Sequence, residues 1–261
     1  MMNRLGVRGA STEIAPYFAQ PASSHVEAAS FTSARTASEQ PLAMFAPVHY
    51  ESNYAYPLVV WLHGPGDDEN QLKRIMPLMS LRNYVGVAIR GTAPYASSNG
   101  KPGYAWAQSQ PHVALAEQRV AEAMQTAQSR LNICSRRIFV AGFDCGGTMA
   151  LRLALAHPTR FAGALSVGGE FPVGGAPLAR LSEAREVPVF LACGRDSQRY
   201  PTAIVCDNLK LLHSAGINLT LRQYPGGHEV APGMLTDMDR WIMEIVTGTS
   251  ATPRNGRRGE N

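Results

Sequence analysis

The residue types best suited to chemistry meet in one segment. Residues 137–157 read as an apolar strand, a Gly142-Phe-Asp-Cys-Gly146 turn and an amphipathic helix. A sharp turn of this kind lifts the side chain at its apex, Asp144, above the sheet edge. Gly142 and Gly146 flank it because no Cβ fits where strand and helix converge. A carboxylate at the apex offers different chemistry from a hydroxyl. Already ionised near pH 7, it attacks an ester carbonyl poorly, but it can displace a leaving group from a saturated carbon, giving an alkyl ester that a neighbouring base then hydrolyses. The bland alternative is an ordinary strand-to-helix turn in which Asp144 caps the helix. Cys145 is the weaker nucleophile candidate, since an elbow centred on it puts Phe143 where a small residue is needed.

Holding Asp144 at an edge requires a parallel sheet, and the hydrophobic pattern predicts one. Short β-branched runs at 42–46, 57–62, 84–89, 137–141, 163–167, 187–192 and 218–224 alternate with segments of helical period. Val113, Ala116, Val120, Met124, Ala127 and Leu131 recur at three- and four-residue steps, marking one helix face; Leu209 and Leu212 before Ser214, Ala215 and Gly216 mark another helix and its stop. One α/β domain over residues 42–247 follows. Residues 1–41 and 248–261, rich in small and polar residues without periodicity, read as a disordered N-terminal extension and a disordered C-terminal tail.

Composition removes several function classes. With 261 residues and 45% apolar side chains the chain can fill a core, while 24 Gly and 18 Pro exclude a coiled coil. Of the net charge of +4, Arg254, Arg257 and Arg258 against Glu260 place +2 in the tail; no basic stripe with interleaved aromatics accompanies it, so no nucleic-acid partner is expected. Cys134, Cys145, Cys193 and Cys206 form no CxxC pair, so no metal, zinc site or disulfide scaffold is expected. No apolar run reaches membrane-spanning length, and the N-terminus lacks a signal-peptide core, which predicts a cytoplasmic protein without a membrane span.

Four motifs in chain order, each placed after a strand, carry a resemblance: Leu62-His-Gly-Pro-Gly-Asp67, Gly142-Phe-Asp-Cys-Gly-Gly147, Gly194-Arg-Asp196 and Gly226-Gly-His228. Over residues 57–246 the chain resembles the α/β-hydrolase superfamily, most closely its phospholipase/carboxylesterase branch, which includes acyl-protein thioesterase-like enzymes and borders on the dienelactone hydrolases. The resemblance implies a mostly parallel central sheet with helices on both faces, no large cap domain and no cofactor. It assigns Asp144 to the nucleophile position, His228 to the general base and Asp196 to the acid that orients the imidazole. The two oxyanion-hole amides would belong to Pro65 and Cys145.

Three departures accompany it. This branch has Ser, or Cys in dienelactone-type relatives, where Asp144 stands. One residue separates Gly194 from Asp196 where many relatives have two. Pro65 has no N–H, and the loss of one such donor costs on the order of 3 kcal/mol. A structural reason for Pro65 is a rigid turn before Gly66 and a helix led by Asp67, Asp68 and Glu69. Asp144, His228 and Asp196 also resemble the set used by haloalkane dehalogenases and epoxide hydrolases, although no segment is long enough for their cap domain. Tyr95, Tyr104 and Trp106 are candidate substrate-wall residues, with Glu170, Phe171 and Pro172 opposite. The expected function is hydrolysis of a small ester-like or alkyl substrate; the alternative is a catalytically inactive pseudoenzyme that binds a ligand or a protein partner.

Overall fold

The computed structural model describes residues 31–35, 40–96, 100 and 102–249. Along the chain run β1 (Phe31–Arg35), β2 (Pro41–Phe45), β3 (Tyr56–Leu62), α1 (Leu72–Met79), β4 (Val85–Ile89), β5 (Ala93–Ala96), β6 (Pro102–Ala105) and α2 (Gln110–Arg130). There follow β7 (Ile133–Phe143), α3 (Cys145–Ala156), β8 (Gly163–Val167), α4 (Leu181–Ala184), β9 (Val189–Gly194), α5 (Thr202–Ser214), β10 (Leu219–Tyr224) and α6 (Pro232–Thr247).

The main sheet has the order β1-β2-β4-β3-β7-β8-β9-β10. Its β1-β2 and β2-β4 pairs are antiparallel, and every pair from β4 to β10 is parallel. Each residue of β3, β4, β8 and β9 is buried, the mark of strands covered on both faces. Period-two alternation sends Val59 and Trp61 to one core with Met76 of α1 and Met238 and Trp241 of α6. Leu58, Val60 and Leu62 pack in the opposite core with Val120 of α2 and Leu151 of α3. The seven expected strands and both expected helices are all present, with ends shifted by a few residues. The turn after Gly66 leads into a short 3-10 segment, Glu69–Gln71, whose cap Asp68 accepts the Asn70 N–H at 2.8 Å.

One expectation is corrected. Phe31–Arg35, within the stretch read as a disordered extension, forms β1 in register with β2. A strand that adds to a sheet edge gains ladder hydrogen bonds without a hydrophobic period of its own, so the pattern gave no warning of it. The rest of the two tails, residues 1–30, 36–39 and 250–261, lies outside the described residues. The second surprise is the β5-β6 hairpin, set in the loop that was expected to wall the site.

Candidate active site

Asp144 sits between the end of β7 and the first residue of α3, with φ of 50° and ψ of −122°. That conformation is strained for any residue with a Cβ and costs about 1–3 kcal/mol. Crowding imposes it. A Cβ on Gly146 would lie 2.2 Å from the Leu62 carbonyl oxygen, and one on Gly142 would lie 2.5 Å from the Gly146 carbonyl. The Asp144 N–H donates to Val167 O of β8 at 2.9 Å, which fixes the apex from the other side.

Two side chains converge on this apex from two other strand ends, and a third backs one of them. His228, four residues beyond β10, places Nε2 2.7 Å from Asp144 Oδ2. Arg199, from the loop after β9, places Nε 2.9 Å from the same oxygen and Nη2 3.4 Å from Oδ1. On the far side of the ring, His228 Nδ1 meets Ser197 Oγ at 2.9 Å. Burial alone would push the Asp144 carboxyl up, but the His228 hydrogen bond, the Arg199 charge and the Cys145 amide together hold it below its ordinary value. An ionised carboxylate only accepts, so the contact assigns the His228 proton to Nε2. Ser197 Oγ, hydrogen-bonded to the second ring nitrogen, also accepts the Tyr200 N–H at 3.0 Å. Gly168 makes room for the ring, since a Cβ there would stand 2.9 Å from His228 Cε1.

Asp196 takes no part in this contact set. Its side chain is 63% exposed and lies 3.6 Å from Arg195, while its backbone N–H is tied to Gly226 O at 2.9 Å. The tie that joins the two loops therefore directs Asp196 outward and its neighbour Ser197 inward. The expectation that Asp196 orients His228 is replaced by Ser197.

Beside Asp144 and His228 opens a cleft of about 260 Å³, with Gln108, Thr148, Glu170, Phe171 and Arg199 among its walls. Glu170 and Phe171 stand where the second loop was expected to form a wall. Tyr95, Tyr104 and Trp106 do not line it. Trp106 is buried, donating its indole N–H to His63 O at 3.1 Å. Tyr104 carries the Arg90 guanidinium 4.7 Å from its ring centroid, and Tyr95 is exposed on the hairpin. Tyr104 and Trp106 are drawn inward because the β5-β6 hairpin folds down on the turn after β3, where a Cβ on Gly103 would lie 2.3 Å from Gly66 O.

Residues 45–246, more than half of the chain, match the phospholipase/carboxylesterase family of the α/β-hydrolases. The chain belongs to that family. Curated relatives include NocK of Nocardia uniformis subsp. tsuyamanensis, named only provisionally as an esterase, at 31% identity over 53% of this chain and 39% of its own. A protein of Oryza sativa subsp. japonica named as a probable carboxylesterase is 30% identical over 40% of each. The chain thus spans about two fifths of the length of the curated relatives it matches. Among solved structures, SOBER1 of Arabidopsis thaliana superposes with a TM-score of 0.62 at 21% identity, covering 74% of this chain and all of that one. The Bacillus cereus carboxylesterase gives 0.63 at 18%, covering 80% and 96%. Both likenesses speak to the fold.

Counting one residue further from Gly194 than Asp196 gives Ser197, the side chain that the structure sets against Nδ1. The spacing departure was the available signal for Ser197; nothing in the sequence announced Arg199. Asp144, His228 and Ser197 thus form one hydrogen-bonded row, Asp144 Oδ2 on Nε2 and Ser197 Oγ on Nδ1. The amide side is equally altered. Pro65 donates nothing, the next amide, Gly66 N–H, is taken by Tyr104 O at 2.9 Å, and the Cys145 amide serves the Asp144 carboxylate. The Cys145 thiol is pushed up to about 11, chiefly by burial, which removes it as a thiolate. His63 of the His-Gly turn is structural. Its Nε2 accepts Gly91 N–H at 2.9 Å and its Nδ1 donates to Gly64 O at 2.7 Å, and burial, the leading cause, lowers its pKa and keeps the ring neutral.

Proposed function

We propose that this protein is a non-hydrolytic member of the carboxylesterase/phospholipase family whose cleft binds a small ligand. The contact between His228 Nε2 and Asp144, at 2.7 Å, carries the reading. In the ester-hydrolysing arrangement that nitrogen receives the nucleophile's proton, and a carboxylate on Nδ1 stabilises the resulting cation. Here Nε2 donates, the residue on Nδ1 is a serine, and Arg199 covers the carboxylate that replaces the nucleophile. The missing Pro65 donor acts in the same direction.

The test is a panel of p-nitrophenyl esters offered to the parent and to Asp144→Ser, Asp144→Ser/Ser197→Asp, and that pair with Pro65→Leu. The parent is expected to stay at the uncatalysed rate, with activity rising along the series. Turnover by the parent that vanishes in His228→Ala sinks the proposal.

Strain at Asp144 favours a second reading, because its φ of 50° is the geometry of a reacting side chain. In that reading Asp144 displaces a leaving group from a saturated carbon, and water activated by His228 cleaves the alkyl ester. Haloalkanes and epoxides then leave an adduct on Asp144 that accumulates in His228→Ala, measured by intact-protein mass.

A further inference from the structure

We infer that the ligand of this cleft is a small cation, an amine, amidine or guanidinium on an apolar body, and that Arg199 is a resident guanidinium occupying its place. The inference rests on the non-hydrolytic reading of the same cleft. The Asp144 carboxylate is 10% exposed, and among the described residues the part of its pairing that water reaches freely is Arg199, whose side chain is 62% exposed. An ion pair so open is weak and exchanges readily. Once displaced, Arg199 moves into solvent that already surrounds most of it, and His228 stays on Asp144 through the buried side.

Charge counting selects the sign of the ligand. Two carboxylates, Asp144 and Glu170, and one guanidinium, Arg199, line the cleft together with the His228 ring. Glu170 is exposed and forms no ion pair among the described residues. An entering monocation replaces Arg199 on Asp144 one for one and gains Glu170 as a second carboxylate. Phe171 and Val173 of the same wall offer apolar surface to its body, with the aromatic ring adding attraction for a cation. An anion would face both carboxylates and would have to pull Arg199 away from Asp144 to be recognised. Because Arg199 competes for the site, its removal should strengthen binding, the reverse of what a guanidinium that recognises the ligand would do.

Three isosteric probes separate these outcomes: benzamidine, benzamide and benzoate, titrated by NMR against the full chain. Benzamidine should bind tightest, and Arg199→Ala should tighten it by about threefold to tenfold. Glu170→Gln should weaken it about threefold, and Asp144→Asn should weaken it further. Preference for benzoate that disappears in Arg199→Ala, weakening of benzamidine by Arg199→Ala, or no binding of any probe overturns the inference. The ester panel decides the parent reading separately: turnover together with benzamidine preference removes the non-hydrolytic reading and keeps the ligand class, and no turnover without that preference does the opposite.

Discussion

The elbow at residues 142–147 and the loop at residues 194–199 face each other across His228, yet different forces fix them. The elbow is held by backbone crowding on Gly142 and Gly146 and by the Asp144 N–H bond to Val167 O. None of those restraints involves the side chain at position 144. A carboxylate can therefore stand at the apex with the geometry of the turn intact. The facing loop starts with an equally tight glycine, since a Cβ on Gly194 would lie 1.9 Å from Gly227 O. Beyond it the chain is irregular, and a shift of one residue decides whether a carboxylate or a hydroxyl meets His228. Position is thus secured by main-chain contacts in both regions, while the chemistry in each rests on one replaceable side chain.

The largest effect should come from exchanging those two side chains. Relative to Asp144→Ser alone, Asp144→Ser/Ser197→Asp should raise kcat/KM on p-nitrophenyl esters by about 10³- to 10⁴-fold, the size of effect that a triad carboxylate carries. Equal rates for the two variants would mean that position 197 is not the acid's seat. Next in size is Gly146→Ala, whose Cβ meets two carbonyl oxygens; it should lower stability by about 3 kcal/mol or prevent folding, as read from the denaturant midpoint.

Ser197→Ala leaves the Tyr200 N–H and His228 Nδ1 without partners and should cost about 1–2 kcal/mol in the same measurement. Acid should expose the Asp144 pairing. Its native pKa is lowered, so the unfolded chain binds the proton more readily, and the stabilisation present above about pH 4 is lost as pH falls toward the native value. The denaturant midpoint of the parent should accordingly fall on acidification more steeply than that of Asp144→Asn. The smallest effect belongs to Asp196→Ala, expected within about 0.5 kcal/mol of the parent because its side chain faces water. A cost as large as that of Ser197→Ala would reverse the assignment of the two residues.

Much of this was legible beforehand, for reasons that differ residue by residue. The buried strands and the α2 face announce themselves because periodicity follows from burial on one side or two. Gly142, Asp144, Gly146 and His228 were legible because each sits at a strand end, where topology leaves little choice of place. Tyr95, Tyr104 and Trp106 misled because aromatic residues in a long loop suit a pocket wall and a packed hairpin equally well, and Gly103 against Gly66 selected the hairpin. β1 was missed because edge pairing needs no pattern of its own.

What the sequence by itself determined is the sheet, the order of its strand ends and two chemical facts, a carboxylate at Asp144 and no amide N–H at Pro65. Those are properties of residue type within local strand and turn geometry. Only the tertiary structure decided that Ser197, and not Asp196, meets His228, and that Arg199 closes on Asp144. Both outcomes depend on how the loop after β9 is tied to the loop after β10 through Arg195 N–H to Tyr224 O at 2.8 Å and Asp196 N–H to Gly226 O at 2.9 Å. Contacts between irregular segments about thirty residues apart leave no period in the sequence from which they can be read.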